Sequence, residues 1–220
     1  MTVQEIVTRV RSAIDELPEN GSALNGLTDD EENMTRIIAD KIGYGVVHIL
    51  EHAPLDKMDA ATFSALSQEE IGTLFSIDNE VGKLKLPENV LRIVDARLSS
   101  WPYFPTPELD NSQVALMQSD KYARGSYDRP VNIFTYNGKD RYLYMYSAKE
   151  LTDTVTFTYV AKPSTAQYSA SNLSQTVDIP SKLEAALIYQ VAGLTMTAYR
   201  EDIAASLFAI AKDYMGIVEE

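Results

Sequence analysis

Val131-Asn132-Ile133-Phe134-Thr135-Tyr136-Asn137-Gly138-Lys139-Asp140-Arg141-Tyr142-Leu143-Tyr144-Met145-Tyr146-Ser147 decides the fold class of this chain. Two runs rich in branched and aromatic residues flank Asn137-Gly138, the residue pair whose tolerance of positive φ suits a tight hairpin. A third strand is expected at Thr154–Ala161, where Val155, Phe157 and Tyr159 alternate with Thr154, Thr156 and Thr158. The three strands read as an antiparallel meander with one buried face.

Outward from the hairpin the period changes from two to three or four. On the N-terminal side, Val3, Ile6, Val10, Ile14 and Leu17 share a helix face that Pro18, Asn20 and Gly21 end. A second helix begins at a capping box of Thr28 and Glu31. Its stripe is Met34, Ile37, Ile38, Ile42, Val46, Ile49 and Leu50, with a bend expected at Gly43 and Gly45 and an end at Pro54. Short helices are expected at Ala60–Leu66, at Gln68–Phe75 behind a Ser67 cap, and at Asn111–Ser119. Val90–Leu98 reads as a strand, and three prolines in Trp101–Pro107 interrupt it. On the C-terminal side, Ser181 and Glu184 form a further capping box. The stripes Leu183, Leu187, Val191, Leu194, Ala198 and Ile203, Leu207, Ile210, Tyr214 then predict a helical hairpin. Ala185, Ala186, Ala192, Gly193, Ala204, Ala205 and Ala209 allow its helices to approach closely.

The expected fold is therefore α+β: a helical core of N-terminal helices and a C-terminal helical hairpin, with the meander inserted between them. By sequence the chain divides into an N-terminal helical region (1–81), a β-rich region (82–163) and a loop with the helical hairpin (164–220), together one compact unit.

Composition removes several functions. The 220 residues carry 19 basic and 32 acidic side chains, a net charge of −13, with no cluster of Lys and Arg to neutralise phosphates. Specific nucleic-acid binding is not expected, although DNA could pass an acidic wall. The absence of cysteine removes disulfides, thiolate metal sites and a cysteine nucleophile. No apolar run suggests a membrane span, and Met1-Thr2-Val3-Gln4-Glu5 does not read as a signal peptide. The sequons Asn33-Met34-Thr35 and Asn172-Leu173-Ser174 then read as chance. Phosphate-loop, dinucleotide and nucleophile-elbow motifs are missing, and no cofactor is expected.

One catalytic motif is present. His48-Ile49-Leu50-Glu51-His52 matches H-x-x-E-H, in which two histidines one helical turn apart hold zinc and the glutamate acts as base. His48 and His52 are thus metal-ligand candidates, and a zinc hydrolase is the distant alternative function. The bland reading is two polar residues near a helix C-terminus. The acidic pairs Asp29-Asp30 and Glu69-Glu70 sit at predicted helix starts, where capping explains them. Tyr136, Tyr142, Tyr144, Tyr146 and Tyr159 fall on strands; with only Lys139, Arg141 and Lys149 nearby, cross-strand packing is favoured over base stacking. Trp101, Tyr103 and Phe104, with the hairpin residues Tyr136, Asn137, Gly138 and Lys139, are the interface candidates, since Tyr and Trp give large contact area at low entropy cost. For the Trp101 loop, capping the core is the competing role.

Several stretches together resemble the small head–tail connector proteins of tailed bacteriophages. They are Leu86-Pro87-Glu88-Asn89-Val90-Leu91-Arg92-Ile93-Val94 with Trp101-Pro102, Ser119-Asp120-Lys121-Tyr122-Ala123-Arg124-Gly125, Asp128-Arg129-Pro130-Val131, and Asp153 through Pro163. Ile179-Pro180 before Leu183-Glu184-Ala185-Ala186-Leu187-Ile188-Tyr189 completes the series. The resemblance spans roughly Leu84 to Met215 and rests on order and spacing. It implies a virion structural protein at the head–tail junction, made in the bacterial cytoplasm. Such adaptors form a homo-oligomeric ring, usually twelvefold, under the portal protein. They dock tail or further ring proteins, let genomic DNA pass through the lumen without specific binding, and catalyse nothing. Another neck or tail-completion protein is the nearest alternative; an acidic regulatory module is a further one. The N-terminal part, Met1 to Val81, is longer than in the simplest members and could add a ring contact. In this reading the helical hairpin forms the body, the Asn137-Gly138 hairpin reaches a partner, and the acidic balance partly lines the lumen.

Overall fold

The computed structural model describes residues 1–15, 31–120, 122–148, 152–164 and 168–217. It is α+β, with helices at both ends of the chain and a strand-rich region between them. The chain forms two compact units, one from Met1–Thr62 with Lys162–Glu220 and one from Phe63–Ala161.

The first unit is helical. Its elements are α1 (Val3–Asp15), α2 (Glu31–His52), α5 (Glu184–Met196) and α6 (Glu201–Met215). The predicted stripe of α1 is buried at Val3, Ile6, Val10 and Ile14, joined by Val7 and Ala13. A capping box starts this helix: the Thr2 N–H donates to Glu5 Oε2 at 2.8 Å and the Glu5 N–H to Thr2 Oγ1 at 3.2 Å. The cap expected at Thr28 and the helix end at Leu17–Gly21 lie outside the described residues. Helix α2 runs without interruption through Gly43 and Gly45. Gly45 serves close approach, because a Cβ there would lie 2.7 Å from Val191 Cγ2 and 3.1 Å from Leu187 Cδ1. Gly193 does the same between α5 and α6, facing the Phe208 ring. The predicted helical hairpin is present, with Ala186, Ala192 and Ala204 buried in it. Its entrance differs from expectation. Ser181–Leu183 is a 3-10 turn after Pro180, no side chain caps it, and Glu184 opens α5. Proline fixes the chain into the tighter turn first, so the Ser181 hydroxyl is not in the N-cap position.

Among its described residues the second unit contains eight strands and two short helices. The strands are β1 (Phe63–Ala65), β2 (Phe75–Asp78), β3 (Val81–Lys85), β4 (Val90–Leu98), β5 (Glu108–Leu109), β6 (Val131–Asn137), β7 (Asp140–Tyr146) and β8 (Val155–Ala161). Strands already begin at Phe63, within a stretch expected to be helical. Ala60–Thr62 makes one 3-10 turn and Phe63–Ala65 then pairs with β8. The next segment is helical as expected: α3 (Gln68–Leu74) carries a full capping box of Ser67 and Glu70. Helix α4 (Gln113–Met117) is shorter than the Asn111–Ser119 expectation and is capped by Ser112.

The meander is divided between two sheets. β6 and β7 form the predicted antiparallel hairpin, but β8 pairs with β4 and β1 in a separate three-stranded sheet. The other sheet has the order β2-β3-β7-β6-β5, antiparallel except for the short β5 edge. Alternation along β8 correctly marked its buried face, Val155, Phe157 and Tyr159. Alternation names a face and not a neighbour, so the pairing was free to differ. A common core of Leu84, Ala96, Leu98, Leu143, Met145, Val155 and Phe157 fills the unit. Asn132, fully buried on β6, donates from Nδ2 to the Ala96 carbonyl (3.0 Å) and the Pro105 carbonyl (3.2 Å).

Arg141 organises the turn before β4. Its guanidinium donates to the carbonyls of Val90 (2.8 Å), Pro87 (2.8 Å) and Glu88 (3.1 Å). Charged hydrogen bonds of this kind contribute about 1.5–3 kcal/mol. Arg141→Met keeps the stem and removes the donors. It is expected to lower stability by about 2 kcal/mol, read as a shifted denaturant midpoint at unchanged slope.

Candidate functional site

The hairpin tip is the most exposed of the predicted interface elements. Asn137 pairs with Asp140 and closes β6, so the two-residue turn is Gly138-Lys139 and not Asn137-Gly138. Gly138 holds φ at 65°, as the first central position of a primed turn requires. Tyr136, Asn137, Gly138 and Lys139 are all exposed, Tyr136 at 64%. The Tyr136 ring stands edge-on to Phe134 at 5.0 Å between centroids, which anchors it on the sheet while leaving it in solvent.

The aromatic loop divides. Trp101 is only 5% exposed and belongs to the core; its indole N–H donates to the Ser147 carbonyl at 3.1 Å. As an interface candidate it is corrected to a core cap: the preceding corner, held by Ser99 and Ser100 hydroxyls on Asp153, turns the chain so that the indole points inward. Phe104 is half-buried against the same core, and Tyr103 stays exposed. The surface that remains is Tyr103 with the hairpin tip.

Of the strand tyrosines, Tyr142 and Tyr144 on β7 meet a lysine of the neighbouring β3, whereas Tyr136 and Tyr159 meet Phe134 and Phe157 on their own strands. Lys83 Nζ lies 4.5 Å from the Tyr142 ring centre and 5.7 Å from that of Tyr144. Arg141 is directed at backbone carbonyls. Lys149 lies outside the described residues.

The H-x-x-E-H residues sit at the end of α2. The rings of His48 and His52 stack at 4.3 Å between centroids, and His52 Nδ1 donates to the His48 carbonyl at 2.9 Å. Among the described residues no group of three metal-ligating side chains is placed to hold an ion. His48 borders an open groove of about 740 Å³ with Asp40, Lys41, Tyr44, Val47, Glu51, Lys162 and Tyr168, all in the helical unit. Burial lowers the His48 pKa below 6.5, and nearby His52 and Lys212 act the same way against Glu51. A base with a depressed folded pKa stabilises the fold fully above its unfolded value and loses that contribution as pH falls through it. Stability should therefore decline as pH falls below 6.5, and His48→Gln should flatten that decline in thermal melts.

Sequence reasoning missed a small cleft in the strand-rich unit. Glu80, Tyr122, Arg124, Gly125, Ser126, Tyr127 and Ser147 line about 420 Å³. Arg124 pairs with the Glu80 carboxylate, and the Ser147 hydroxyl donates to the Gly125 carbonyl. Asn79 and Glu80, both at positive φ, form the β2–β3 turn, and Ser147 also has φ at 74°. Asn79 was the one available signal, as a residue that accepts this backbone region.

Charge divides unevenly between the sequence ranges of the two units. The helical range holds 9 basic and 19 acidic residues, net −10, and the strand-rich range 10 and 13, net −3. Among the described residues no helix is long and apolar enough to cross a membrane. No protein-family model matches the chain, and no curated protein matches it.

Proposed function

We propose that this chain is a non-catalytic structural adaptor of a tailed-phage virion, a subunit of the ring that joins the portal to the tail. The observation that carries this reading is the resemblance from Leu84 to Met215, together with where its stretches fall. The Leu86–Val94 stretch forms the Arg141-gripped turn and the start of β4, Asp153–Pro163 contains β8, and Ile179-Pro180 leads into α5. An α+β chain with strands inserted between helices is the arrangement the resemblance implies. The exposed hairpin tip is the docking element toward a neighbouring ring, and the acidic helical range is the part that keeps passing DNA mobile by repulsion.

Shortening the hairpin would disturb Arg141 and the 2.9 Å Lys85–Asp140 ion pair, so point changes at the tip test this better. Tyr136→Ser with Lys139→Glu should leave the circular dichroism and melting unchanged and abolish joining of the purified protein to its portal ring. Wild-type joining by this variant would refute the assignment of the tip.

A further inference from the structure

Between Arg97 and Lys121 the chain contains no Lys or Arg, while Glu108, Asp110 and Asp120 are all exposed. Within the same stretch, Leu109 is 57% exposed, Leu116 69% and Met117 46%. Single exposed apolar residues need no explanation, but three in one ten-residue segment call for a cover. The segment is held in place. β5 pairs with β6, the Asp110 N–H donates to the Phe134 carbonyl, and the Thr135 hydroxyl donates to Asp110 Oδ2 at 2.6 Å. Ser112 caps α4, and the Gln118 side chain bonds the Val114 carbonyl and the Gly125 N–H. An apolar surface already fixed in this way binds without a large ordering cost.

We propose that the β5–α4 segment docks a basic amphipathic helix of a partner protein. Charge selects that occupant. A second copy presenting this same segment would bring its Glu108, Asp110 and Asp120 toward their equivalents. Anionic lipid and nucleic acid are repelled by the same three carboxylates. A helix with leucines along one face and Lys or Arg at its margins matches both the apolar residues and the acidic rim. The inference goes beyond the adaptor reading and fails or stands separately from it.

The test titrates the full-length, isotope-labelled protein with a designed Leu/Lys helical peptide, with a Leu/Glu peptide of the same apolar face as control. The expected result is saturable binding of the Leu/Lys peptide only, with amide shifts concentrated in residues 108–122 and affinity falling as salt rises. Leu109→Ser with Leu116→Ser should weaken it about tenfold while the rest of the spectrum is unchanged. If that pair disturbs the fold, Met117→Gln and Glu108→Gln are read in its place, each with a smaller loss. Shifts spread over the acidic helical unit, equal binding of the Leu/Glu peptide, undiminished affinity in the folded variants, or no binding would each overturn the proposal.

Discussion

Trp101→Ala is expected to destabilise the strand-rich unit by about 3–5 kcal/mol, the range for deleting a large aromatic from a packed core. The indole is among the core side chains of that unit, and its N–H satisfies the Ser147 carbonyl at a residue held at positive φ. Truncation leaves a cavity and removes that donor together. Trp101→Phe separates the effects: it refills much of the volume but leaves the carbonyl unsatisfied, at a cost of about 1–3 kcal/mol. Denaturant unfolding followed by circular dichroism reads both, since the variants remove the chain's single tryptophan. A Trp101→Ala protein within about 0.5 kcal/mol of wild type would return Trp101 to the surface as an interface residue.

Gly45→Leu should cost about 3 kcal/mol in the helical unit, at the upper end of overpacking effects. Even a methyl at this position meets Val191 and Leu187, both fully buried on α5. Alanine would gain about 1 kcal/mol of helix propensity over glycine at an open site. The milder Gly45→Ala therefore reports a balance in which the steric contact is expected to win. Val191→Ala vacates the space. The double variant should be more stable than the two single losses predict, with a coupling of about 0.5–3 kcal/mol in a four-variant denaturation cycle. Strict additivity would mean that α2 and α5 do not touch at Gly45.

These two sites also mark what sequence could and could not give. The period of Val3, Ile6, Val10 and Ile14 and the alternation of Val155, Phe157 and Tyr159 each identified a buried face, because a regular element repeats its contacts at a fixed interval. Partners across space leave no such interval. β8 therefore gave no sign that it pairs with β4 and not with the hairpin, and Gly45 was read through helix propensity because Val191 lies far away in sequence. Caps show the same limit. Ser67 and Glu70 formed the box their spacing suggests, whereas Ser181 and Glu184 did not once Pro180 had set the turn. The box at Thr2 and Glu5 has the same spacing and was legible but unread. Of the surface candidates, the place of the hairpin tip was legible because turn chemistry is local, although the turn itself falls one residue later, at Gly138-Lys139. Trp101 was not, because an aromatic loop has the same composition whether it covers a core or faces a partner.

Imaging of the purified protein by negative stain, alone and mixed with the portal ring that the proposed adaptor role would assign to it, tests the adaptor reading most directly. A new tier on the portal with matching symmetry is the predicted result. A protein that stays folded and monomeric in both samples, with the portal ring unchanged, would contradict it.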